Sequence, residues 1–317
     1  MGYRVFSKLI EGLGVLLSVS FFVFCIARLI PGDLALQLTG VDGATEENLA
    51  RVRAELGLDR PFLEQYLTWL WNALQGNFGN SPLTNRPILD DVQAAFPVSL
   101  QLGALGLIGA IVIGGPIGIL AAVRSSSKLG QLIRTNLIVF LSIPSFVVGA
   151  LLVFFSSRYF PEAYRSFYVR ITDDPTENLK VMFLPTLSLS LTLAGVIAQV
   201  TRNALIQELN QPYVLTARAY GFSSRQVVFT YASRGAIVQI LTVGALLFGS
   251  IVGGTVITER VFSLPGIGTL MVNAIGNRDF NLAIVAILGI TLIYLTLNTL
   301  IDLMAESLDP RTRGGRL

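Results

Sequence analysis

The sequence predicts an all-α membrane protein: six transmembrane helices, with an extracytoplasmic helical insertion after the first span. Three observations predict it. Of 317 residues, 52% are apolar and only 14% charged, with a mean hydropathy of +0.65, whereas a soluble domain carries roughly 25% charged residues. Six apolar runs, near 10–30, 98–123, 132–156, 181–200, 236–258 and 281–303, reach the ~20 residues that cross a hydrocarbon core. Between the first two lies a long stretch, 31–97, with helical periodicity but no such run.

Composition also excludes several kinds of chemistry. The chain has no histidine and one cysteine, Cys25, set in an apolar run. Disulfide frameworks, His-based zinc sites and Ser-His-Asp triads are therefore excluded. No catalytic, cofactor-binding or metal-binding residue is expected. The net charge of +3 is small and dispersed, which argues against nucleic acid as a partner.

In chain order, Arg4 and Lys8 precede the first run, which is too long for a signal-peptide core and reads as an uncleaved span. In segment 31–97, Thr45 is placed to cap a helix faced by Leu49, Val52 and Leu56, with Gly57 closing it. Leu63, Tyr66, Leu67, Leu70, Trp71 and Leu74 then recur at helical spacing. Trp69 and Trp71, the two tryptophans, fall here, as at a membrane–water interface. Gly103, Gly106, Gly109, Gly114, Gly115 and Gly118 crowd the second span, and small residues let helix backbones approach closely. Pro144 and Pro185 predict kinks in the third and fourth. Glu11, Arg28 and Asp302 are charges near span ends, and none is expected at mid-membrane. Basic residues favour one side: Arg4 and Lys8, Arg124, Lys128 and Arg134, then Arg202, Arg218, Arg225 and Arg234, and finally Arg311, Arg313 and Arg316. That side is the cytoplasm, which puts both termini inside. The expected segments are 1–30 (N-terminus and first span), 31–97 (outer helical segment), 98–303 (membrane core with a cytoplasmic loop 201–235) and a cytoplasmic tail, 304–317.

The loop is the organising stretch. Pro212 suits a first helical position, and Thr216 to Ala219 continue that helix. Gly221 ends it in the left-handed conformation, and Ser223 or Ser224 caps the next one. The run Thr216-Ala217-Arg218-Ala219-Tyr220-Gly221-Phe222-Ser223, with Tyr231-Ala232-Ser233-Arg234-Gly235-Ala236, resembles the cytoplasmic coupling loop of ABC-importer permeases. It is most similar to the first permease of the dipeptide/oligopeptide (and nickel) uptake group. Leu215-Thr216-Ala217 stands where the general signature has Glu-Ala-Ala, Gly221 is kept, and Ser233-Arg234 replaces Leu-Pro. Pro31-Gly32-Asp33, Leu56-Gly57-Leu58-Asp59-Arg60-Pro61, Gln65-Tyr66-Leu67, Gly76-Asn77-Phe78-Gly79-Asn80-Ser81, the run Glu259 to Gly268, Asn277-Arg278-Asp279-Phe280 and Leu308-Asp309-Pro310-Arg311 extend the resemblance over nearly the whole chain.

The resemblance implies a type I ABC importer permease fold in a bacterial or archaeal cytoplasmic membrane. It implies a second homologous permease, two cytoplasmic ATPase subunits and an extracytoplasmic substrate-binding protein, besides membrane lipid. The chain has no Gly-rich loop ending in Gly-Lys-Ser/Thr. It is therefore expected to be no enzyme and to carry no cofactor, ATP being bound by partner subunits. Tyr213, Thr216, Ala217, Arg218, Ala219, Gly221, Phe222 and Arg225 are the implied coupling residues, with Ala217 and Ala219 small enough to approach a partner groove. Phe262, Pro265 and Gly266 are the implied outer mouth. A secondary carrier or channel, or a structural membrane protein, are the competing classes. The substrate is open among dipeptides, longer peptides, glutathione, opine-like compounds and nickel chelates.

Overall fold

A computed structural model describes residues 2–29, 45–55, 57–141, 143–160 and 167–308. The Pro31-Gly32-Asp33 and Asp309-Pro310-Arg311 segments, and the basic tail, lie outside these residues. All the regular structure described is helical. The helices are α1 (Gly2–Leu29), α2 (Glu46–Glu55), α3 (Phe62–Leu74), α4 (Ile88–Val123), α5 (Lys128–Leu141), α6 (Ser145–Tyr159) and α7 (Pro175–Leu209). After them come α8 (Pro212–Ala219), α9 (Ser224–Gln226), a π-helical turn (Val227–Ala232), α10 (Ser233–Gly254), α11 (Val256–Val261), α12 (Ile267–Gly276) and α13 (Phe280–Leu308).

Among the described residues five helices are long and apolar enough to cross a membrane: Phe6–Ala27, Ile88–Val123, Pro175–Leu209, Ser224–Gly249 and Phe280–Thr299. The third expected span, 132–156, is not one helix. It divides into α5 and the shorter apolar α6, with Pro144 extended at φ −62°, ψ 143° just before α6. Proline disfavours helical geometry in the residue before it and donates no backbone bond, so the expected kink is a break. Pro185, by contrast, lies buried inside α7, which continues across it.

The chain forms two units. The first comprises residues 1–97 and 266–292, so Gly266–Leu292 groups with the N-terminal residues rather than with the rest of 98–303. Its core joins Ile88, Val92 and Ala95 to Ile267, Ala274, Leu282 and Ala286. Phe24, Tyr66 and Ile284 form a second cluster. The Thr45 hydroxyl caps α2 by accepting from the Asn48 N–H at 3.3 Å. In α3, Tyr66 is buried and bonded to the Ser20 hydroxyl at 3.0 Å, while Leu63, Leu67, Trp71 and Leu74 are exposed. The helix thus docks by its aromatic edge, with the apolar stripe exposed among the described residues. Ser81 and Asp279 are both buried, and the Ser81 hydroxyl donates to Asp279 at 2.5 Å. Asp279 also accepts from the Leu282 N–H at the start of α13.

The second unit comprises 98–265 and 293–317. Its glycine-rich helix α4 packs on α7 at very short range. A Cβ at Gly106 would lie 2.6 Å from Leu189 Cδ2, and one at Gly118 2.6 Å from Thr201 Cβ. At Gly114 it would meet the Ala194 backbone, with Cα at 3.0 Å. The Ser190 hydroxyl donates across the seam to the Gly106 carbonyl at 3.1 Å. Dispersion over such close surfaces substitutes for a hydrophobic driving force that lipid does not supply.

Gly114→Val places its side chain against backbone that no rotamer change moves aside. It should cost about 1–3 kcal/mol, as overpacking does. Gly115→Ala meets nothing within 4 Å and should be neutral or gain about 0.5–1 kcal/mol from the helical backbone. Thermal unfolding of the purified chain in detergent separates the two.

Candidate functional site

The candidate site is the short helix α8 with its return. Pro212 opens α8 and Tyr220 closes it. The Gly221 N–H donates to the Arg218 carbonyl at 3.0 Å and the Phe222 N–H to that of Ala217 at 3.3 Å. That pair of bonds ends a helix on a left-handed residue, and Gly221 has φ +85°. Ser223 then caps α9 in a capping box: its hydroxyl accepts from the Gln226 N–H, while the Gln226 side chain accepts from the Ser223 N–H at 3.0 Å. The π turn that follows was not foreseen. It brings Val227, Val228 and Ala232 to one buried side. Such turns recur at functional sites.

Val214 and Ala217 of α8 are buried against Val227, flanked by Leu209 and Tyr231. Ala217 is 5% exposed, which corrects the expectation that it enters a partner's groove. Its small side chain lets α8 lie close to its own return segment. The outward face consists of Tyr213, Leu215, Thr216, Arg218, Ala219 and Tyr220, continued by Gly221, Phe222 and Arg225. Tyr220 is 81% and Leu215 52% exposed. Phe222 leans on Tyr231, ring centroids 5.4 Å apart. Neither Arg218 nor Arg225 forms an ion pair among the described residues.

Glu208, at the end of α7, fastens this assembly and went unnoticed in the sequence. Its carboxylate accepts a very short hydrogen bond from the Tyr213 hydroxyl. A Cβ at Gly235, on α10, would lie 2.5 Å from Glu208 Oε2. One acid of α7 therefore reaches both α8 and α10. Alanines around it permit this: Ala122, Ala204, Ala232 and Ala236 are buried together with Leu205. Burial, then the Glu208 hydrogen bond and charge, push the Tyr213 phenol up to about 12.

The residues expected at the outer mouth differ in exposure. Phe262 is buried, against Gly149 of α6, and Pro265 is exposed. The left-handed residue of the turn is Ser263, φ +54°, whereas Gly266 is extended and precedes α12. Two buried acids lie close by in sequence. Besides Asp279, Glu259 is 0% exposed and accepts at Oε1 from the Ser99 hydroxyl at 2.5 Å and from Thr255 at 2.7 Å. Glu259 follows the expected fifth span, 236–258, and its burial was not foreseen.

Residues 114–314 match the family described as the binding-protein-dependent transport system inner membrane component, and 3–103 match its N-terminal counterpart. The chain belongs to this permease family. A probable peptide ABC transporter permease, y4tP of Sinorhizobium fredii, is 35% identical, over 99% of this chain and 100% of its own length. The glutathione transport system permease GsiC of Escherichia coli K12 is 31% identical over 98% of each. The same permease fold is seen in the MetNI methionine ABC transporter (TM-score 0.58, 15% identity, 70% of this chain and 98% of that one). An amino acid ABC transporter shares it as well (TM-score 0.51, 16% identity, 69% and 94%). As a permease of an ABC importer, this chain is a membrane transport component that works with ATPase and substrate-binding partners.

The raised Tyr213 phenol carries a sign. Its stabilising contribution is fully present below pH 10, where the free phenol is protonated, and is lost as pH rises through about 12. Glu208→Gln removes the charge and should move that ionisation part-way back toward the ordinary value. Alkaline difference titration of tyrosine absorbance against the parent protein reads the shift.

Proposed function

We propose that the chain forms half of a translocation pathway for a peptide or peptide-like solute, and that α8 receives the motion of a cytoplasmic ATPase subunit. The peptide class is supported by the names of the relatives, which align over essentially the whole chain. The reading includes a second, homologous permease, two ATPase subunits and an external binding protein. Both termini and the 201–235 loop lie in the cytoplasm, as the arginines of that loop favour. The chain itself binds no ATP and hydrolyses none.

The observation that carries the coupling role is the face of α8. Leu215, Tyr220 and Phe222 are exposed around two arginines that form no ion pair among the described residues. Meanwhile Val214 and Ala217 pack the helix from behind, and the Tyr213 hydroxyl ties it to Glu208 of α7. Exposed aromatic residues with arginine are what a partner's groove uses as anchors. Force applied to this face reaches α10 through Gly221, the Ser223 cap and the π turn.

ATP-driven uptake of a labelled dipeptide into liposomes holding the complete importer tests this reading. Tyr220→Ala should leave assembly of the two permeases intact and lower uptake and ATPase attachment together. Gly221→Val meets no atom within 4 Å, so its cost is backbone strain of about 1–2 kcal/mol and a misdirected helix. It too should uncouple hydrolysis from uptake. Normal uptake by both variants would return α8 to an ordinary connection. For orientation, in a Cys25→Ser background a cysteine at exposed Gln75 should react with an impermeant thiol reagent added outside. One at exposed Ser126 should be shielded, and the reverse pattern rejects the orientation.

A further inference from the structure

Glu259 is the one fully buried carboxylate of the second unit's described residues whose surroundings tie two helices together by side chain alone. Its neighbours share the task of fixing one segment. The Leu264 N–H donates to the Glu259 carbonyl at 2.8 Å, and the Ser263 N–H to that of Arg260 at 3.3 Å, which ends α11 on left-handed Ser263. Leu264 is buried with Val98 and Leu102 of α4. On that same turn of α4, Ser99 donates to the Glu259 carboxylate. The segment is thus held by apolar contact on one side and a charge-assisted hydrogen bond on the other.

What gives this attachment a role beyond folding is where it lies. From Ser224 to Val261 the backbone is helical, with a break only at Thr255. At ~1.5 Å per residue this run covers on the order of 55 Å. One end begins at the Ser223 cap beside α8, and Glu259 lies in the last turn of the other. Thr255, at the break, also donates to Glu259. A non-glycine residue held left-handed, as Ser263 is, stores strain of a kind that collects at switch regions.

We propose that Glu259 is a positioning residue for solute passage. Its carboxylate, seated on Ser99 and Thr255, fastens the far end of the helical run to α4. Movement entering at α8 is thereby delivered to the Phe262–Leu264 segment. This rests on the importer reading given above.

The complete importer in liposomes tests the proposal through the amount of solute imported per ATP hydrolysed. Glu259→Gln keeps a carbonyl oxygen for both hydroxyls and should stay within about threefold of the parent. Glu259→Leu and Ser99→Ala should each lower the ratio by about tenfold, the scale of one lost hydrogen bond to a charged group. Basal ATP hydrolysis and the yield of assembled complex should persist. A role confined to folding predicts the opposite: reduced yield with an unchanged ratio, which overturns the proposal. Glu259→Gln falling as far as Glu259→Leu overturns it too, because the hydroxyl contacts would then not be what matters. Parent protein that imports nothing with these partners rejects the importer reading itself, and this proposal with it.

Discussion

A helix that ends inside a membrane protein must satisfy its last carbonyl groups within the protein. Much of this chain depends on how it meets that constraint. Five short helices end in the same way, on a left-handed residue at 57, 76, 221, 263 and 278, with the next N–H reaching back five residues. Three of these residues are glycine. The other two, Ser263 and Arg278, accept a less favoured backbone conformation. Each is followed closely, or preceded closely, by a buried acid that fastens the turn elsewhere: Glu259 to Ser99 on α4, and Asp279 to Ser81 in the segment before α4. Closed helix ends let the chain reverse direction without exposing backbone, and the acids then fix where each reversal lies.

The same economy shapes the loop around α8. Gly221 ends α8, Ser223 starts the next helix, and Glu208 touches Tyr213 while crowding Gly235. Beneath them, α4 and α7 are joined through glycine faces with almost no side chain between. The bends of the elbow are thus fixed by Gly221 and the Ser223 cap, and the outer face of α8 is exposed.

How much of this was legible in the sequence depends on the range of the physics. Pro212, Gly221 and Ser223 could be read because caps and left-handed turns are decided within three or four residues. The break before Pro144 was underestimated, because an apolar pattern continues across it and hydropathy is blind to a missing backbone bond. Which face of α8 turns inward was not legible: Tyr213, Val214 and Leu215 are all apolar enough for either side. Ala217 was accordingly assigned to the wrong one. Glu259 and Asp279 were missed as buried acids because their hydroxyl partners lie 160 and 198 residues away. Family membership, not the pattern of charge, sets the chain apart from a secondary carrier.

The central claim is that the outward face of α8 is where a cytoplasmic ATPase subunit takes hold. A photoreactive side chain at Tyr220, in the assembled importer, tests it most directly. Irradiation should join this chain to an ATPase subunit, while the same group at buried Val214 should give no such product. Attachment at Tyr220 to the external binding protein would contradict the account, as would no product at all from an importer that still takes up solute.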